Sequence, residues 1–223
     1  MNDGGITADG SPVWAYLALP PGDAPDIIHA EVRAEGSILE LGCGAGRITR
    51  PLVAYGHPVV AVDDSAEMLE HVTGAEKIQT DLYALDLGRR FDAVVAASHL
   101  IDSPDREVRL ALLGVCRRHV ADDGVVIIQR HEPDWAHDPG DSKGFSGPVG
   151  LAFRLIEHRG TEFDGSVTYW LGGRVQTQTF TVGIVEDELL AREAAECDLA
   201  LDGWLDQRKA WAKLSPAPGS DPR

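Results

Sequence analysis

Positive charge is scarce in this 223-residue chain. Twenty Lys and Arg stand against 36 Asp and Glu, a formal net charge of −16 at pH 7, and no basic run interrupts the acidic excess. A protein that neutralises a phosphate backbone needs clustered cations, so nucleic acid is not an expected partner. Long apolar runs are missing too: nothing approaches the ~18 residues of a membrane span. Residues 1–12, MNDGGITADGSP, show neither a basic leader nor an apolar signal core. No membrane partner is expected. Cysteine is rare, and Cys43, Cys116 and Cys197 are odd in number, far apart and free of any CxxC pair. That argues against a disulfide frame or a thiolate zinc site and suits a reducing compartment. The expectation is a cytoplasmic protein with three free thiols.

What is present is a globular composition, 43% hydrophobic and 25% charged, sufficient for one full core. Residues 1–25 read as an arm with one apolar patch, Val13 to Leu19, and 26–34 as a short helix leading into the domain, which spans 26–214. An apolar strand at 37–41 is followed by glycines and a helix at 47–55. A β-branched strand at 58–62 closes on Asp63-Asp64, and Ser65 opens a helix carrying Met68, Leu69 and Val72. Weaker and stronger strands follow at 77–79 and 91–97. A helix starts after Ser103-Pro104, and Asp122-Asp123-Gly124 is a turn before a strand at 125–129. Five strands alternating with helices predict an α/β, Rossmann-like, doubly wound sheet, mostly parallel. Residues 132–150 are dense in turn formers and read as a long lid loop. Two alternating runs at 167–171 and 174–182, joined by Gly172-Gly173, predict an added β-hairpin. A helix at 186–197, a reversed C-terminal strand near 208–214 and a disordered tail at 215–223 complete the reading. Trp170, Trp204 and Trp211 are expected in the core.

The most specific feature is Glu40-Leu41-Gly42-Cys43-Gly44-Ala45-Gly46, between a buried strand and a helix. Glycines there let backbone approach a ligand and expose helix N-terminal amides. A carboxylate at Glu40, in a buried strand, wants a cationic partner. The dinucleotide fingerprint G-x-G-x-x-G is not met, because the third glycine falls one position early and Arg47 stands in its place. Pyrophosphate is therefore disfavoured. Asp63 lies 17 residues after Gly46, near the spacing at which an acid in such folds accepts ribose hydroxyls. Asp81, ending the third strand, has the acceptor chemistry for an adenine amine. Three acids at adjacent strand ends suit a neutral-to-cationic adenosine ligand.

These segments resemble the class I S-adenosylmethionine-dependent methyltransferases, and the small-molecule type among them. ILELGCGAGRIT looks like the first motif, VVAVDDSAEML the second, QTDLYAL the adenine segment, FDAVVAASHLI the fourth-strand motif and VADDGVVIIQ the fifth, over about 27–131. The resemblance implies S-adenosylmethionine as cofactor, with Gly42, Gly44 and Gly46 beneath its methionine part. It implies that Asp63 takes the ribose, that Asp64 and Met68 flank the adenine, and that Asp81 with Leu82 reads the adenine edge. Ser98 and His99 would lie beside the sulfonium and the acceptor. By the same resemblance the C-terminal hairpin and helix would be the reversed strand pair that closes the sheet.

Glu40, Cys43 and Arg47 complete the expected cofactor set. Cys43 is read as a small packed residue, since no base accompanies it. Tyr16, with Trp14, either folds over the cofactor or anchors the arm. His99 and His131, at the ends of the fourth and fifth strands, are the candidate catalytic bases, against the plainer reading of packed imidazoles. Arg130, Glu132 and Trp135 either bind substrate or form lid surface. No metal-ligand spacing marks the fourth strand, so no metal is expected. The resulting expectation is methyl transfer to an oxygen or nitrogen of a small-molecule metabolite. The alternative is a non-catalytic S-adenosylmethionine or S-adenosylhomocysteine binder, or a partner subunit, of the same fold. The sequence leaves the assembly open between monomer and homodimer.

Overall fold

The computed structural model describes residues 5–219. The arm carries helix α1 (Val13–Ala18) and leads to α2 (Ala24–Glu31). There follow β1 (Ile38–Leu41), α3 (Thr49–Ala54), β2 (Val59–Asp63), α4 (Ala66–Leu69), β3 (Glu76–Gln79), β4 (Phe91–Ala96), α5 (Arg106–His119) and β5 (Val120–Gln129). Then come α6 (Pro133–His137), β6 (Ser142–Ser146), β7 (Val149–His158), β8 (Glu162–Leu171), β9 (Arg174–Gly183), α7 (Asp187–Glu196), β10 (Leu199–Trp204) and β11 (Trp211–Pro216). A seven-stranded sheet runs β10-β11-β5-β4-β1-β2-β3 and a separate four-stranded antiparallel sheet runs β6-β7-β8-β9. In the large sheet β1 to β5 are parallel and β11 runs against both β5 and β10. No helix among the described residues is long and apolar enough to cross a membrane.

The large sheet is apolar on both faces because helices cover both. Alternate strand residues divide between two layers. Leu39, Leu41, Val94, Ala96, Val126 and Ile128 pack with Leu112 and Cys116 of α5 and Leu190 of α7. Ile38, Ala93, Val95, Val125 and Ile127 pack with Ile28 of α2 and Leu52 of α3. Strand order reverses between β2-β1 and β4-β5, and the crevice at the carboxyl ends of β1 and β4 is where such sheets bind ligands. The loops after these two strands touch: a Cβ on Gly42, where φ is +66°, would come within 2.9 Å of the Leu100 side chain.

The doubly wound sheet is as expected, and the departures lie elsewhere. The Asp122-Asp123-Gly124 turn is absent, because β5 runs through it with a register shift opposite Phe91–Ala93. Gly124 lies against the Phe91 and Asp92 carbonyls, where a Cβ would stand at 2.9–3.0 Å. Residues 132–150 are not one irregular loop; they form α6, β6 and the start of β7. The hairpin at 167–182 is present as β8 and β9, but it belongs to the separate sheet. The reversed pair that closes the large sheet is instead β10 and β11. Residues 215 and 216, expected in a loose tail, are strand, and Ala217 donates its N–H to the Asp198 carbonyl. Residues 1–4 of the arm and 220–223 of the tail lie outside the described residues. Trp211 is buried, Trp204 lies under the Arg130 guanidinium, and Trp170 sits on the outer face of the small sheet over Gly150 and beside Phe145.

The two sheets meet at one tight seam. The Gly183 N–H, at the end of β9, donates to the Asp102 carbonyl at 2.7 Å. A Cβ there would meet the Ser103 carbonyl oxygen at 2.7 Å and Pro104 backbone at 2.9 Å. A second clamp is Arg130, whose fully buried guanidinium donates to the Val185 and Lys209 carbonyls and to Asp187. Arg130 is therefore committed to the scaffold rather than offered to substrate. Gly183→Ala should destabilise the fold by ~1–3 kcal/mol, because backbone rather than a flexible side chain must yield. Urea unfolding of the variant beside wild type reads this directly.

Candidate functional site

The strand-to-helix loop after β1 is built on backbone that favours glycine, with Gly42, Gly44 and Gly46 at φ +66°, +54° and +78°. Asp63, the last residue of β2, holds it in place. One carboxylate oxygen accepts the Gly44 N–H at 2.7 Å and the other the Ser65 N–H at 3.0 Å. Burial raises the Asp63 pKa, with those two amides working against the rise. A carboxylate has about four acceptor sites, so two remain for hydroxyl donors.

Glu40 is almost fully buried and accepts the Thr49 hydroxyl at 2.6 Å on one oxygen. Burial pushes its pKa up to about 7; the Thr49 hydrogen bond and the Arg47 charge pull it down only in part. Arg47 sends its guanidinium to the Pro20 and Pro21 carbonyls, fastening the arm. Glu40 therefore lacks a hydrogen-bonded cation.

These groups border a cavity of ≈ 320 Å³. Of the residues expected at the cofactor, Tyr16, Glu40, Gly42, Cys43, Gly44, Arg47, Asp63, Asp64, Met68, Leu82 and Ser98 line it. Three expected residues do not. Gly46 packs against Val72, Asp81 caps the 3-10 turn at Leu82–Ala84 by accepting the Tyr83 N–H, and His99 faces the adjoining cavity. Burial and the charges of Glu40 and Asp63 drive the Cys43 pKa far up, which disfavours the thiolate. Sequence reasoning missed Thr7, Asp9 and Ser11 of the arm, which line the cavity as well. Their only signal is polarity in a segment that has no strand or helix pattern.

An adjoining cavity of ≈ 470 Å³ shares Asp9, Tyr16, Ser98 and Leu100 with the first and reaches His99, Asp102, His131, Tyr169, Gln178 and Phe180. Both candidate histidines stand here, their rings stacked at 3.8 Å, with Trp135 stacked on the far side of His131 at 4.9 Å. Asp102, unnoticed in the sequence, ties them together. Its Oδ2 accepts from both the backbone N–H and the Nδ1–H of His131 at 2.6 Å, and lies 3.6 Å from His99 Nδ1. Burial alone would raise the Asp102 pKa, but the His131 hydrogen bond and the neighbouring His99 hold it below the usual carboxylate value. For His131, burial and the neighbouring His99 outweigh Asp102 and lower the pKa. Donor atoms of the three residues lie within 4.8 Å of one another, but the direct Nδ1–Oδ2 bond commits His131 and Asp102 to each other rather than to an ion. Glu132 is drawn away to Arg208 at 3.0 Å.

Residues 38–124 match the family model described as a methyltransferase domain. Over 122 residues the chain is 29% identical to the cypemycin N-terminal methyltransferase of a Streptomyces species, an alignment covering 51% of this chain and 50% of that protein. The chain thus spans about half the length of the curated relative it matches. Among solved structures, the CcbJ methyltransferase of Streptomyces caelestis superposes with a TM-score of 0.74 at 19% identity, covering 89% of this chain and 91% of that one. S-adenosylmethionine-bound CalS10, an amino pentose methyltransferase of Micromonospora echinaspora, gives 0.66 at 18% identity and 92% of both chains. Sheet order, glycine loop and strand-end acids define a Rossmann-like methyltransferase fold. The matched segment is thus similar to a methyltransferase domain, and the solved structures share its fold.

Glu40 gives the cavity a pH signature. A carboxyl whose folded pKa is raised from 4.5 to about 7 binds more protons folded than unfolded within that window. Its contribution to stability is full below 4.5 and is lost as pH rises to 7. Glu40→Gln should remove this loss, so that the variant gains in Tm relative to wild type between pH 5 and pH 8. Thermal melts of both proteins at the two pH values measure it.

Proposed function

We propose that the protein is an enzyme that binds S-adenosylmethionine in the first cavity and transfers its methyl group to a nitrogen or oxygen of a small molecule held in the second. The observation that carries this reading is Glu40, a buried carboxylate that lines the glycine-loop cavity without a hydrogen-bonded cation. The cofactor's ammonium and sulfonium charges fit that vacancy of charge, where a pyrophosphate does not. Asp63 keeps free acceptor sites for ribose hydroxyls, and Met68 and Leu82 supply apolar wall for an adenine. When bound, the cofactor supplies an electrophilic methyl group on a good leaving group. The residues of the protein have to align the acceptor and exclude water, and such positioning is worth ~7–11 kcal/mol. The arm helps close the site: the Gln178 amide donates to the Asp9 carbonyl and carboxylate and to the Ser11 hydroxyl.

Three features support a small acceptor. The second cavity is confined between the two sheets, the net charge of −16 disfavours polyanions, and CalS10, with an amino pentose as its substrate, shares the fold. The three free thiols suit a cytoplasmic setting.

Calorimetric titration with S-adenosylmethionine, S-adenosylhomocysteine and NAD in parallel tests the reading. Binding of the two sulfur ligands and not of NAD is expected, and the reverse overturns it. Sulfur-ligand binding with no turnover on any acceptor would turn the assignment to a non-catalytic binder. Asp63→Ala should weaken the sulfur ligands by ~1.5–3 kcal/mol for each lost hydrogen bond to the charged carboxylate. Unchanged affinity in the same titration removes Asp63 from the cofactor's contacts.

A further inference from the structure

Resting on the methyl-transfer reading above, we propose that the second cavity takes an amine that arrives as an ammonium ion. His131, positioned by Asp102, removes its proton before the methyl group moves.

The lining argues for the class of acceptor. Among the described residues neither Lys nor Arg borders the cavity, while the carboxylates of Asp9 and Asp102 do, and Tyr16, Tyr169 and Phe180 give aromatic wall. Carboxylates and ring faces attract a cation and repel an anionic acceptor. An ammonium has no lone pair for attack, so the same site must also take a proton.

The geometry supplies the acceptor of that proton. The backbone N–H of His131 can only donate, which fixes Asp102 Oδ2 as acceptor, and the same oxygen takes the ring Nδ1–H. That bond selects the Nδ1–H tautomer and leaves the lone pair on Nε2, which is neither buried without a partner nor hydrogen-bonded within the protein. The ring plane is held between His99 and Trp135. Holding His99 there requires two successive non-glycine residues in left-handed backbone, Ser98 at φ +56° and His99 at +64°, a strained arrangement of the kind that clusters at functional sites. Among the described residues the titratable groups facing His131 are Asp102 and His99. Glu132 is paired with Arg208, and Arg130 is turned to Asp187. Burial and His99 keep His131 neutral, as a base must be, and Asp102 favours the imidazolium that forms. In the step the ammonium N–H bond breaks, an Nε2–H bond forms, and the electron pair stays on nitrogen as the nucleophile. The imidazolium later returns its proton to solvent.

Long-range proton–nitrogen NMR of the imidazoles in the full chain, with and without S-adenosylhomocysteine, tests this. Cyclohexylamine, cyclohexanol and cyclohexanecarboxylate serve as probes. The expected results are the Nδ1–H tautomer for His131 and perturbation of the His99 and His131 signals by the amine alone. Asp102→Asn should lower the His131 pKa and His99→Ala should raise it. A packing role for Asp102 would move neither tautomer nor pKa. An Nε2–H tautomer in wild type, an unmoved pKa in Asp102→Asn, or a stronger response to the carboxylate than to the amine overturns the proposal. If wild type fails to bind S-adenosylhomocysteine while tautomer and amine response hold, the cofactor reading fails and the amine site stands.

Discussion

One hydrogen bond, from the Gly183 N–H to the Asp102 carbonyl, joins the loop after β4 of the large sheet to the small antiparallel sheet, and the second cavity is arranged around it. Asp102 serves the seam three times. Its carbonyl anchors the end of β9, its own N–H donates to the His99 carbonyl, and its carboxylate holds the His131 ring. The second cavity borders this seam. Its walls are the arm, the segments that follow β4 and β5, and strands β8 and β9 of the small sheet, so the placement of the small sheet and the orientation of the imidazoles are set together.

The first cavity is prepared differently. Asp63 accepts one hydrogen bond from the glycine loop and one from the turn before α4, fixing two loops from two strands with a single side chain. Glu40, by contrast, is left with a need. A buried acid held with its pKa near neutrality, beside an arginine occupied elsewhere, gains most from a ligand that brings its own positive charge. In a chain this acidic, the shortage of cations in the crevice is local design rather than average composition, since Arg130 and Arg109 are buried close by and spent on Asp187 and Glu193.

The parallel half of the fold was legible because its signals are local. The strands are short apolar runs, β1 is followed by glycines and β2 closes on Asp63-Asp64, and the helices between them have their own period and stop. Glu40 and Asp63 were legible for the same reason, standing at strand positions next to the glycine loop. The small sheet was half-hidden. In β6, Ser142–Ser146, every residue but the last is exposed, so no apolar alternation marks it. The 149–158 strand begins inside the turn-former segment read as a loop to 150, and its remainder carries no pattern that the sequence reading assigned to an element. The strand β10 carries a register irregularity between Leu201 and Gly203, which breaks the period a reader would seek. Asp102 could not have been read at all, because nothing in Ser98 to Asp102 distinguishes that acid until β5 brings His131 within 2.6 Å of it.

The arm touches both cavities at once, since Asp9 and Tyr16 are common wall. A partition shared by two binding sites makes their occupancies thermodynamically linked. A ligand that pulls Tyr16 or Asp9 into better contact with itself alters the free energy of the other ligand, and that ligand alters the first by the same factor. Any coupling between ligands in the two cavities would pass through the arm together with Ser98 and Leu100, outside the glycine loop and the strand-end acids.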